Sequence, residues 1–302
     1  MSRDSNSTSK FRVEHKHELR RQANEAGTGR LWTHTVGIAN SIRTVGHDPV
    51  TGRGADEEEI GSGCAGHWGD RHFIATAGHV PHINAQPSDL RIFWRPTGAL
   101  DRRPTDDIRP QDVEDAVPIA DPNAQIYRCT WEDLAIITLS PEHAGQYTEF
   151  FDIGREWIDP PEGHVVHCCG YPRDRGAFLE KRNVGDKEEH SIGISPYLFD
   201  GQVLPSPTED ELKFKITSFN LERHYLMPFK DAEDGRHPGG YSGAATWWEN
   251  PTEGLVWTPR FKFAGICSCC YEKGSKEQVI KASVVRRFLH EVFGPLFDTK
   301  DQ

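Results

Sequence analysis

The chain has no apolar run of membrane-spanning length, no excess of basic residues, no paired C-x-x-C knuckles and no internal repeat. A spanning helix needs about 20 consecutive apolar residues, so no membrane association is predicted. The first 21 residues are polar and charged and contain no apolar core of a secretory leader. Arg20-Arg21 is not followed by an apolar stretch, which removes a twin-arginine export reading; the expectation is a cytoplasmic protein. With 35 Lys and Arg against 46 Asp and Glu, the formal net charge is −11. Phosphate backbones need a basic face, so nucleic acid is not expected as a partner, and the negative charge serves solubility. Seven cysteines are an odd number. Cys168-Cys169 and Cys269-Cys270 are neighbours in strand-like runs, where adjacent side chains face opposite sides and vicinal disulfides are disfavoured. They read as reduced, buried thiols. Together with His164, His167 and Cys267 they lack the spacing of a zinc site, and no metal or cofactor is expected.

What is present is bulky core material and many short β-prone runs. The 302 residues include eight Trp and fifteen Phe, enough for one large domain or two small ones. A disordered start (residues 1–10) and a short helix at 14–26 precede an entry strand within 31–42. Residues 64–68 and 72–76 flank Gly69-Asp70-Arg71 as a hairpin. Further strands are predicted at 90–94, 134–139, 164–169, 212–219 and 261–270. Residues 96–123, dense in Pro, Asp and Arg, read as a long loop, and 227–238 as a charged loop. Trp247-Trp248 and Leu255-Val256-Trp257 bracket a hairpin loop. Residues 283–293 have apolar positions at helical spacing, stopped by Gly294-Pro295. Many strands closed by one helix indicate an all-β barrel or sandwich.

Three stretches carry chemistry. Gly240-Tyr241-Ser242-Gly243 sets a serine in a turn where glycines let a carbonyl approach closely and where the N–H groups of Gly240 and Ser242 can converge on one oxyanion. Thr76-Ala77-Gly78-His79 puts a histidine, able to act as a base near neutral pH, directly after a strand. Asp133-Leu134-Ala135-Ile136 puts a carboxylate at the mouth of an apolar strand, where it needs a hydrogen-bonded partner. Each stretch alone is ordinary turn or strand-end chemistry.

In the order His79, Asp133, Ser242 they resemble the chymotrypsin-like (trypsin-like) serine peptidases, over about residues 61–289. Gly170-Tyr171-Pro172 and Phe263-Ala264-Gly265-Ile266-Cys267-Ser268 are softer matches. The resemblance implies two six-stranded antiparallel β-barrels with a C-terminal helix. The divisions are an N-terminal extension (1–59), a first barrel (60–155) with His79 and Asp133, and a second barrel (156–302) with Ser242. It implies a serine endopeptidase acting on protein or peptide substrates: Ser242 as nucleophile, His79 as base, Asp133 as its orienter, Gly240 and Ser242 as oxyanion donors. Ser268 would lie along the substrate strand, with Arg236 and His237 near the pocket floor, where cations would suit acidic side chains. Tyr241 replaces the aspartate that pairs with a freed N-terminus in digestive and clotting members, and Val80 replaces a cysteine. Both departures fit an intracellular, bacterial-like branch. The alternative is a peptide-binding or regulatory protein on a peptidase fold, inactive until a partner docks.

Two other motifs are weighed and set aside. Gly61-Ser62-Gly63-Cys64-Ala65-Gly66 matches G-x-G-x-x-G but has acidic residues before it and no helix after it. Gly240-Tyr241-Ser242-Gly243-Ala244 approaches an α/β-hydrolase elbow, but that fold needs its histidine after the serine, and only His290 follows.

Overall fold

The computed structural model describes residues 31, 33–40, 60–94, 117–119, 121–145, 149–171, 176–184, 187–194, 197–214, 218–229, 239–250, 260–271 and 275–296. The helix expected at 14–26, most of the 96–123 loop, Arg236, His237 and the strand at 255–257 lie outside those residues.

Two antiparallel sheets dominate. The first holds β1 (Thr35–Asn40), β2 (Ile60–Trp68), β3 (Arg71–Ala77), β4 (Leu90–Trp94), β5 (Val117–Pro118), β6 (Ile126–Arg128), β7 (Leu134–Leu139) and β8 (Phe151–Asp152). Their order is β5-β4-β1-β2-β3-β7-β6, with β8 alongside β2. Apart from the two-residue β5 and β8, this is a six-stranded curl. The second sheet holds β9 (Val165–Gly170), β12 (Tyr197–Gln202), β13 (His224–Pro228), β14 (Ala245–Asn250), β15 (Arg260–Tyr271) and β16 (Lys276–Lys281), in the order β12-β9-β14-β15-β16-β13. Its ends meet where the Leu204 N–H donates to the Leu226 carbonyl at 2.8 Å. A separate hairpin pairs β10 (Gly176–Val184) with β11 (Lys187–Ile194). The short α1 (Pro141–Ala144) and α2 (Glu209–Phe214) and the C-terminal α3 (Ala282–Phe293) complete the described elements. The architecture is the double barrel with a C-terminal helix.

Both faces of the central strands are covered, which explains why they read as continuous apolar runs rather than alternating ones. On β7, Ile137 and Leu139 point into the first barrel with Ile38, Ile74 and Ile92. Leu134 and Ile136 point instead into a core shared with Trp247, Phe263 and Ile280 of the second sheet and Val285, Phe288 and Leu289 of α3. The second barrel's interior is separate: Val166, Cys168, Phe199, Met227, Cys267 and Val279. Helix α3 grips both halves. Arg286 lies over Trp157 at 4.2 Å and within 5.6 Å of the Trp68 ring, and Arg287 lies over Trp131 at 4.4 Å. The helix begins at Ala282, one residue ahead of Ser283, whose N–H is capped from afar by Asp159 Oδ1 at 3.0 Å.

The structure revises three expectations. Strand β1, placed above in the N-terminal extension, is an interior strand between β2 and β4; without it both would carry bare edges. Residues 212–219, predicted as a strand, begin inside helix α2. The apolar-basic alternation there is overruled by a capping box: Thr208 N–H and Oγ1 both reach Glu211 Oε2, and Glu211 N–H returns to Thr208 Oγ1. Strands β13 and β16, not predicted, supply the far edge of the second sheet. The G-x-G-x-x-G string is part of strand β2, not a strand-to-helix turn.

Candidate active site

Strand β3 ends at Ala77, and the next turn presents His79. Gly78 makes that turn possible, because a Cβ there would sit 2.9 Å from both Asp133 Oδ1 and the Leu134 backbone nitrogen. Asp133, immediately before β7, takes two bonds from His79: the backbone N–H donates to Oδ1 at 2.9 Å, and Nδ1 lies 2.7 Å from Oδ2. An ionised carboxylate only accepts, so Nδ1 carries the proton and Nε2 is the basic nitrogen. The pair sits at a rim rather than in the core: the His79 side chain is 54% exposed and that of Asp133 38%.

The residue before Asp133 anchors it. Glu132 Oε1 accepts the Asp133 N–H at 3.1 Å. Its other oxygen is 2.9 Å from His224 Nε2 and 3.2 Å from Arg223 Nη1, both brought by the second sheet at β13. Burial opposes ionisation of Glu132, but His224, the Asp133 N–H and Arg223 outweigh it and hold the carboxyl below its ordinary value. The same loop is fixed to α3 through Trp131, whose Nε1 donates to Glu291 at 3.3 Å.

The serine turn is held through its backbone. Ser62 N–H donates to the Ser242 carbonyl at 2.7 Å, and Ser62 Oγ donates to the Gly240 carbonyl at 2.6 Å. Gly243 N–H donates to Cys267 O, and Ala244 N–H closes the turn on Tyr241 O, each at 2.7 Å. Among the described residues the N–H groups of Gly240 and Ser242 have no partner. Gly243, at φ +86°, is pressed against the first barrel: a Cβ there would lie 1.9 Å from Ser62 O and 2.2 Å from Thr76 Oγ1. Tyr241 is buried, its ring edge-on to Phe199 and Phe229 at centroid distances of 5.1 and 5.4 Å.

Of the residues named for substrate binding, Ser268 is buried, its hydroxyl donating to Gln278 O at 3.4 Å and accepting from Gln278 Nε2 at 3.0 Å. Ser268 thus turns its hydroxyl inward onto Gln278 rather than toward a substrate. Ser62 and Glu132 were missed by the sequence reading. Ser62 stands inside the glycine-rich Gly61–Gly66 string, and Glu132 beside a second carboxylate, Asp133. Neither has a local signal, since each acts across more than 90 residues of chain.

No family model matches the chain, and no curated protein matches it. Among solved structures it is similar to the MamO protease domain of Magnetospirillum magneticum, with 15% identity and a TM-score of 0.44 over 85% of this chain and 96% of that one. It is similar to the protease Anisep of Arthrobacter nicotinovorans, with 14% identity and a TM-score of 0.44 over 84% and 93%. A thermostable serine protease, AL20, from an extremophilic microorganism gives 12% identity and a TM-score of 0.45 over 86% and 97%. These likenesses assign no role to any residue.

Proposed function

We propose that the chain is a serine endopeptidase using Ser242, His79 and Asp133. The observation that carries the reading is a joint placement. His79, bonded to Asp133 through its backbone N–H and through imidazole Nδ1, follows β3, and the serine turn is seated on Thr76 of that same strand. Ser242 Oγ attacks the carbonyl carbon of a peptide bond and its proton passes to His79 Nε2. Asp133 holds the tautomer and stabilises the imidazolium, staying ionised. The negative charge that develops on the carbonyl oxygen is received by the N–H groups of Gly240 and Ser242, each such donor worth about 3–4 kcal/mol. Collapse breaks the C–N bond as His79 returns the proton to the leaving amine. Water, deprotonated by His79, then releases the acyl group by the same route. The β15 main chain at Ser268 and the segment with Arg236 and His237 are the proposed contacts for the substrate chain. A protein partner docking beside this site would regulate the enzyme on the same reading.

A fluorophosphonate probe tests the reading. It should modify Ser242 in the wild type, as mapped by mass spectrometry, and leave Ser242→Ala unmodified. Modification of a different serine overturns the assignment. A folded wild type that binds an unstructured protein but neither cleaves it nor takes the probe points instead to a peptide-binding protein on this fold.

A further inference from the structure

Among the described residues Ser62 stands apart from the other buried hydroxyls by what it joins. It belongs to β2 of the first barrel and is fully buried. Its N–H donates to the Ser242 carbonyl at 2.7 Å, its Oγ donates to the Gly240 carbonyl at 2.6 Å, and the same Oγ accepts the Tyr171 N–H at 2.8 Å. Its own carbonyl accepts Thr76 Oγ1 at 2.6 Å. One residue of the first barrel therefore pins two carbonyls of the serine turn, on either side of Tyr241, and ties them to the exit of β9 in the second barrel.

The consequence for the turn is directional. A peptide plane has its carbonyl and the following N–H on opposite sides. The Gly240 carbonyl shares its plane with the Tyr241 N–H and the Ser242 carbonyl its plane with the Gly243 N–H, so Ser62 fixes the plane that follows each of these residues. The Gly240 N–H lies in the preceding plane, and its direction relative to the anchored carbonyl is set by rotation within Gly240. Gly240 has φ +96°, a conformation from which glycine can rotate at little cost. The hydroxyl of Ser62 supplies a direct restraint on that rotation. A buried acceptor left unbonded costs about 1–3 kcal/mol, so without the hydroxyl the Gly240 carbonyl is driven to turn toward another donor.

We infer that Ser62 is a positioning residue of the proposed peptidase: through its hydroxyl bond to the Gly240 carbonyl it aims the Gly240 N–H at the oxyanion. The inference rests on the reading of Ser242 as nucleophile. It also makes the serine turn competent only when the two barrels are docked, because the residue that aims the donors comes from the other barrel.

The test compares wild type, Ser62→Ala and Ser62→Gly, both of which keep the backbone N–H to Ser242 O. Active sites are first counted by fluorophosphonate titration, then kcat and KM are measured per competent site, with the affinity for a peptide boronic acid that mimics the tetrahedral state. The expected result is a fall of kcat by about 10- to 100-fold, as for a misaimed oxyanion donor. Boronate affinity should fall in parallel, with KM and the acid limb of the pH–rate profile unchanged, since His79 and Asp133 are untouched. Ser62→Cys, keeping a weak donor, should recover part of the loss. If kcat per competent site and boronate affinity stay within twofold of wild type, Ser62 is only a packing residue, whatever the melting temperature does. If the wild type itself takes no probe at Ser242, this inference falls together with the proposed function.

Discussion

The two sheets treat their acids in opposite ways. At the rim of the first sheet the carboxylates meet basic side chains: Asp133 faces His79, and Glu132 faces His224 and Arg223, which against the pull of burial hold its carboxyl below the ordinary value. Inside the second barrel no cation enters among the described residues, and the polar groups stay neutral. Cys168 and Cys267 place their sulfurs 3.5 Å apart, and that contact, together with burial, pushes the Cys267 thiol far up. Glu277, fully buried, is pushed by desolvation up to about 8, with a hydrogen bond from Cys270 only partly offsetting it. The serine turn, built on this neutral side, is accordingly held by backbone groups and one hydroxyl rather than by ion pairs. Tyr241 packs among aromatic rings in the place where the resemblance puts an ion-pairing aspartate. On the proposed reading this is a division of labour: the first sheet would organise the basic and acidic groups of proton transfer, and the second the uncharged donors of an oxyanion.

Breaking the charged half should give the largest effect. Asp133→Asn keeps the shape but cannot fix Nδ1–H on His79, so kcat should fall by about 10³ or more with KM little changed. Steady-state cleavage of an unstructured protein measures this, and near-normal turnover would remove Asp133 from its role. Breaking the backbone half should cost stability as well as rate. Gly243→Ala meets Ser62 O at 1.9 Å in a positive-φ conformation. The strain of that conformation is on the order of 1–3 kcal/mol and the overlap adds a similar amount. A melting temperature unchanged from wild type would contradict this packing.

Two acids sharpen the comparison through pH. Glu277 binds its proton more tightly folded than unfolded, with an ordinary value of 4.5 raised to about 8. Its contribution is full below 4.5 and declines as pH rises toward 8. Glu277→Gln should therefore lose that decline and be more stable than wild type at pH 8, by a few kcal/mol in urea unfolding; parallel pH curves would refute the neutral acid. Glu132 has the opposite sign. Its lowered value means stability present above 4.5 and lost as pH falls through the folded value. Glu132→Gln should flatten the acid limb of the stability curve below pH 4.5, and an unchanged limb would show that the clasp with β13 contributes nothing.

The smallest expected effect is none at all. Tyr241 offers no carboxylate to an α-ammonium group, so no N-terminal cut is needed to set the turn. Intact-mass analysis should find the probe on the uncleaved chain. Labelling that appears only in proportion to an N-terminal cut would show a different activation pocket.

Local patterns were enough for the strands with both faces covered. The run at residues 134–139 is apolar throughout because β7 serves two cores at once, and that pattern survives in the sequence. The contact of His79 with Asp133 was also foreshadowed, since one follows a predicted strand in a string of small residues and the other stands at the mouth of an apolar run. Local pattern failed where a competing signal lay close by, as when the Thr208–Glu211 box turned an alternating stretch into α2.

The sequence by itself determined the all-β class and the terminal helix, which follow from periodicity and turn chemistry acting over a few residues; the double barrel was implied by the resemblance of three short strings in order. Only the tertiary structure decided that Ser62 holds the serine turn across 178 residues of chain and that Glu132 is clasped by β13. It also decided that Ser268 turns its hydroxyl inward and that Glu277 lies where no cation among the described residues can neutralise it. Hydrogen bonds and desolvation depend on what is folded against a group, and nothing in the neighbouring residues records that.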